Sequence, residues 1–116
     1  MTIKRIDAGP RMSQAVVHGN TVYVAGQVAL EAPGKSVTEQ TQNILARIDR
    51  YLAQAGTDKT KLLQATIWLV DISKFDEMNK VWDAWVAPGC APARATVEAK
   101  LAAPQFHVEI AVVAAL

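Results

Sequence analysis

The sequence predicts an α+β fold, a six-stranded sheet with two helices on one face. Apolar and β-branched residues gather in six short runs, the clearest of which alternate with polar residues at the period of a half-buried strand. In two longer runs they recur at steps of three and four, the spacing of an amphipathic helix. Two helices cannot shield both faces of six strands. They are therefore expected on one face, leaving the other for a different purpose.

Taken in order, "IKRI" near the N-terminus reads as a short first strand. "QAVVHGNTVYVAGQVAL" holds two β-rich runs around His18, Gly19 and Asn20, and a Gly-Asn pair in that setting reads as a tight hairpin turn. "EAPGK" is a loop by its Pro33-Gly34 pair. In "SVTEQTQNILARIDRYLAQAG", Val37, Thr41, Ile44, Ile48, Leu52 and Ala55 mark one helical face. Ser36 and Glu39 have capping-box spacing, and Gly56 sits where a C-terminal cap belongs. "LLQATIWLVD" returns to period two. "ISKFDEMNKVWDAWV" is a second helix, with a stripe of Phe75, Met78, Trp82 and Trp85 read as core, and Pro88-Gly89 ends it. "APARATVEAK" and "FHVEIAVVAA" are the last two strands, giving the order β-β-β-α-β-α-β-β.

Composition narrows the function classes. A chain of 116 residues is read as one domain, 1–116. It can bury roughly two thirds of the surface its unfolded chain exposes. Twelve Lys and Arg against 11 acids leave a net charge of +1, which offers no broad attraction to nucleic acid or anionic lipid. One cysteine, Cys90, allows no internal disulfide and points to a reducing compartment. The longest apolar run, "IAVVAAL", is too short to span a bilayer, and "MTIKRIDAGPR" has no signal-peptide core, so a cytoplasmic location is expected. Two histidines and one cysteine, widely spaced, give no metal-site pattern, and no glycine loop is built to cradle phosphate.

The face away from the helices is expected to carry Gln64, Thr66, Trp68 and Val70, then Arg94, Thr96 and Glu98, then His107, Glu109, Ala111 and Val113, with Val97, Ile110 and Val112 turned toward the helices. Its apolar members, Trp68, Val70, Ala111 and Val113, suggest self-association through this surface. Arg94 opens a strand of small residues, and Glu109 lies in an otherwise apolar one. On residue type alone each is more often a solvated surface residue or an ion-pair partner than a working group, but a carboxylate among apolar neighbours is either paired or working. If the last two strands form a simple hairpin about "AAPQ", Glu109 lies opposite Lys100, roughly 20 Å from Arg94 at the rise of an extended strand. The two then meet only through another strand order or a neighbouring subunit.

At this point the chain resembles the RidA/YjgF family of reactive-intermediate deaminases. The pieces are "GPRMSQAVVHGNTVYVAGQVA", "ATIWLVDISKFDEMNKVWDAW" and "APARATVEAKLAAPQFHVEIAVVA", and the wording of "WDAWV" and "APARATV" is closest to a YoaB-like branch. The resemblance implies a chorismate-mutase-like α+β fold with a six-stranded mixed sheet, assembled as a homotrimer with the sheets packed inward and pockets between subunits. It implies hydrolysis of 2-imino acids, in tautomeric exchange with enamines, to 2-keto acids and ammonia, with no cofactor and no metal. Carried over by position, Arg94 clamps the substrate carboxylate, Thr96 offers its backbone N–H, Glu109 serves the hydrolytic water, and Asn79 and Gly26 line the pocket. Two positions depart from the family's pattern. Arg11 and Met12 follow Gly9-Pro10 where a tyrosine is common, and Ala25 replaces a serine before Gly-Gln. Both changes remove hydroxyls from the mouth of the implied pocket.

This chemistry suits those side chains. A guanidinium holds a planar carboxylate through two parallel hydrogen bonds, which lysine cannot reproduce. A glutamate can orient or deprotonate water aimed at the adjacent C=N carbon. Two rival readings use the same fold: a sensor that binds a keto or imino acid without turning it over, and an RNA-directed ribonuclease or translation inhibitor. The near-neutral charge and the lack of interleaved basic and aromatic residues count against the second.

Overall fold

A computed structural model describes residues 1–116. The six strands are β1 (Ile3–Ala8), β2 (Ser13–His18), β3 (Thr21–Gln27), β4 (Leu62–Leu69), β5 (Ala93–Glu98) and β6 (Val108–Ala115). The helices are α1 (Val37–Ala55) and α2 (Phe75–Trp85), so the expected element order holds. The strands form one mixed sheet in the order β1-β2-β3-β6-β4-β5, with β4 and β5 parallel and every other neighbour antiparallel. No helix is long and apolar enough to cross a membrane.

Local chemistry explains the boundaries. Gly19 and Asn20 make the two-residue turn between β2 and β3, Gly19 taking the positive φ of 61° that such turns favour. The Ser36 side chain accepts a hydrogen bond from the N–H of Glu39 at 3.1 Å, and Gly56 closes α1 in the left-handed region at φ 90°. Replacing Ser36 with alanine is expected to lower stability by about 1 kcal/mol, read as a fall in Tm without change of fold. Asp71 caps a 3-10 turn over Ile72–Lys74 that leads directly into α2. The first turn of the expected second helix is therefore tighter than an α-helix.

Both helices cover one face, as predicted. Val37, Ile44, Ile48 and Leu52 of α1 are buried against Val22, Val24, Ile67, Ile110 and Val112 of the sheet, with Met78 and Trp82 of α2 closing the other end. The opposite face is open. It presents rows that run straight across the strands, among them Val97–Trp68–Glu109 and Ala95–Thr66–Ala111. Tyr23, Leu63 and Val97 are each about half exposed.

One strand is turned over relative to expectation. Val97, expected beneath the helices, is 45 % exposed on the open face, aligned with Trp68. Arg94, Thr96 and Glu98, expected on the open face, align with the buried Ala65, Ile67 and Leu69 and so lie on the helix side. Alternation in β5 fixes which residues share a face but not which face is covered, because both sets are small or amphipathic. Aromatic side chains on α2 decide it, since a guanidinium packs its flat faces on such rings while its edge stays available to polar partners.

Candidate functional site

The predicted site residues fall into two clusters on opposite faces of the sheet. The first lies beneath α2. Phe75, Asn79 and Trp82 are spaced four and three residues apart, so they share one helical face. Arg94 reaches up to that face from β5. Its guanidinium carbon is 5.1 Å from the Trp82 ring centroid and 5.8 Å from that of Phe75. It has no carboxylate within ion-pair distance; the chain's one such pair is Arg47–Glu31. Burial pulls the Arg94 pKa downward, with the Asp83 charge opposing, yet an arginine remains fully protonated near neutrality. Asn79 Oδ1 and Thr96 Oγ1 are both buried without a hydrogen-bond partner. Orphaned polar atoms are costly in a packed interior. Thr96 lies two positions from Arg94 on the same side of β5, and Asn79 lies on the helical face that carries Phe75 and Trp82.

The second cluster lies on the open face. Between Val24 and Gln27 the register of β3 against β6 slips by one residue, a β-bulge at Ala25 and Gly26. The Glu109 side chain lies across this bulge. A Cβ added at Gly26 would overlap Glu109 Oε2 and sit 2.9 Å from its carboxyl carbon, so only glycine leaves the carboxylate this place. Glu109 shares a hollow of about 230 Å³ with Trp68, Ala99, Lys100, Leu101 and Ala102. Burial raises its pKa above the ordinary carboxylate value. Gly26→Ala is expected to push the carboxylate out of this seat and lower any activity that depends on it about a hundredfold, since a 1 Å misplacement is enough for that. Steady-state kinetics beside an unchanged circular dichroism spectrum would test it.

Within one chain the two clusters do not meet. No hairpin joins β5 and β6, because β4 lies between them. Arg94 aligns with Ala65 and Glu109 with Trp68, three residues further along β4. That is an offset of roughly 10 Å along the strand, in addition to two interstrand spacings and the thickness of the sheet. The largest cavity, about 560 Å³ between α1 and α2, is lined by Leu45, Asp49, Lys80 and Trp85 among others and holds none of the predicted residues.

Comparison with known proteins now adds to the geometry. The family model described as endoribonuclease L-PSP matches residues 2–116. The chain belongs to this family. Among its relatives, the RutC family protein YoaB of Escherichia coli K12 is 49 % identical over 116 residues, covering all of both chains, in keeping with the YoaB-like branch that the sequence suggests. A crystal structure of a YjgF family member from Neisseria meningitidis superposes with a TM-score of 0.95 at 46 % identity, covering 99 % of this chain and 95 % of that one. A rat protein named 2-iminobutanoate/2-iminopropanoate deaminase is 31 % identical over 108 residues, covering 88 % of this chain and 77 % of that one.

The walls of the arginine cluster are not evident in the sequence. Phe75 and Trp82 read there as core, although their spacing with Asn79 already marks one face; the missing fact is which strand lies beneath. The β3 bulge leaves only its glycine as a signal.

Proposed function

We propose that this protein hydrolyses 2-imino acids, and the enamines in exchange with them, to 2-keto acids and ammonia, in sites shared between the subunits of a homotrimer. The single observation that carries the reading is the unpaired Arg94 guanidinium, placed over the Trp82 and Phe75 rings on the side of the sheet that also holds the unpartnered polar atoms of Asn79 and Thr96. A cation held by its faces keeps its edge free for the two parallel hydrogen bonds that a substrate carboxylate accepts. The family and the rat relative's printed name support the reaction class.

The roles divide as the clusters do. Arg94 fixes the carboxylate and hence the neighbouring C=N carbon, with Asn79 and the β5 edge at Thr96 beside it. Glu109, across Gly26, accepts a proton from water as the water oxygen bonds to that carbon. Glu109 returns that proton to the carbinolamine nitrogen, and as the C–N bond breaks and ammonia leaves, the hydroxyl gives up its own proton to solvent and becomes the carbonyl of the 2-keto acid. Imine hydrolysis is intrinsically easy, so positioning supplies much of the rate gain. Because the clusters lie on opposite faces, one subunit's Arg94 must work with a neighbour's Glu109. The exposed apolar surface around Tyr23, Trp68 and Val97 on the open face is suited to bringing subunits together. The lone Cys90 fits a cytoplasmic setting.

An imine generated in situ by an amino-acid oxidase tests the activity. The protein is expected to speed keto-acid formation over the uncatalysed rate. Tight binding of pyruvate with no acceleration would instead identify a sensor of keto or imino acids.

A further inference from the structure

A chain of polar side chains runs from the buried Gln27 and Arg47 on the helix side of the Gly26 bulge out to the exposed Glu31, and it has no place in the chemistry above. Gln27 is 2 % exposed and its side chain lies on the helix side of the sheet, away from Glu109. Gln27 Nε2 donates to the Ala25 carbonyl inside the bulge at 3.0 Å and to Gln14 Oε1 on β2 at 2.9 Å. Gln27 Oε1 accepts from Arg47 Nε at 3.1 Å. Arg47, 7 % exposed on α1, also donates through a terminal guanidinium nitrogen to Glu31 Oε2 at 2.8 Å, and Glu31 Oε1 accepts from Asn43 Nδ2 at 2.9 Å.

We propose that Gln27 and Arg47 are positioning residues for Glu109, holding the β3 bulge in the shape that clears the floor at Gly26. An amide can present either its oxygen or its nitrogen in a given direction. Arg47 carries donors only, so it draws the Gln27 oxygen toward α1 and thereby aims the amide nitrogen at the Ala25 carbonyl and Gln14. With that carbonyl held from one side of the sheet, the next residue, Gly26, is set against Glu109 on the other. A buried guanidinium is a poor stabiliser compared with an apolar side chain of similar volume, so stability alone is a weak reason for Arg47. The Arg47–Glu31 pair ties the amide's orientation to α1 and to the loop after β3, the two elements nearest the bulge on the helix side.

The inference rests on the deaminase reading for its kinetic readout but not for its structural one. Gln27→Met removes both the donor to Ala25 and the acceptor for Arg47, whereas Gln27→Glu keeps the acceptor and removes only the donor. Both are expected to lower kcat about tenfold or more through displacement of Glu109, with KM within about twofold because the Arg94 cluster is untouched. A merely structural network predicts otherwise: Gln27→Glu, ion-paired with Arg47, would keep wild-type kcat, and Gln27→Met would lose only Tm. That pattern overturns the proposal. The independent readout is the titration of the Glu109 carboxyl followed by carbon NMR. Lys100 is the charged neighbour lining the Glu109 hollow, while β3 and β4 offer only Gly26 and Trp68, so a neutral change at Gln27 acts through geometry. The midpoint in Gln27→Met is expected to move from its wild-type value, and an unchanged midpoint overturns the proposal whether or not the wild-type protein accelerates imine hydrolysis. Should Gln27→Met fail to fold, the equally neutral Gln27→Asn, too short to reach Ala25 and Arg47 together, carries the same titration, and there too an unmoved midpoint overturns the proposal. Wild-type protein with no acceleration would sink the functional reading alone.

Discussion

Arg94→Ala removes the acceleration of imine hydrolysis, a loss of at least about a hundredfold in kcat/KM, while the protein stays folded and keeps its oligomeric state. A bidentate charge-assisted pair is worth roughly twice a neutral one. Its loss also frees the substrate to rotate, which forfeits the positioning on which so simple a reaction depends. Folding is spared because Arg94 has no ion-pair partner in the chain and is only half-buried at the edge strand. Some packing of its stem against Trp82 is lost, so a small drop in Tm is expected. Arg94→Lys keeps the charge but neither the fork nor the flat stacking surface, and is expected to fall close to alanine. Oxidase-coupled keto-acid formation measures both. Wild-type rates in either variant would remove Arg94 from its assigned role.

Glu109→Gln abolishes hydrolysis and stabilises the fold in the same stroke. Loss of a general base costs about a hundredfold or more. The stability effect follows from the raised pKa, whose cause is burial. The folded state disfavours the carboxylate, so between the ordinary and the raised pKa the native protein binds more protons than the unfolded chain. Stability therefore falls as pH rises through that window and stays lower above it. Glutamine, never charged, escapes the penalty, and its Tm is expected to exceed that of the wild type at neutral pH and to converge with it in acid. Activity runs the other way, since the base must be deprotonated. The acid limb of kcat/KM is expected above the usual glutamate range of about 4.3, and it should vanish with the residual activity of the variant. A Glu109→Gln protein less stable than wild type at neutral pH would mean that the carboxylate is paired and structural.

How far the sequence reveals this molecule depends on whether a residue's fate is decided locally. The Gly19-Asn20 turn, the Ser36 and Gly56 caps of α1 and the covered face of β6 are all legible, because each rests on neighbours within a few positions. The orientation of β5 is not. Its alternation is regular, but the choice of face depends on the crossover through α2 and on where Trp82 and Phe75 come to rest. The same crossover puts β4 between β5 and β6, an order that a hairpin-like sequence around "AAPQ" does not announce. Arg94 and Glu109 can be singled out from residue type and surroundings. Their placement on opposite faces, on which the proposed sharing of a site between subunits rests, depends on strand order and register together.

That division of labour has a direct test in mixed oligomers. Arg94→Ala and Glu109→Gln subunits, each inactive alone, are unfolded together in equal amounts, refolded and assayed for keto-acid formation. If each site takes Arg94 from one subunit and Glu109 from the next around a three-fold ring, random assembly restores both in about a quarter of the sites, and activity should return to about that fraction of wild type. Mixed trimers as inactive as the parent variants would contradict the account, because sites built within single subunits cannot complement one another.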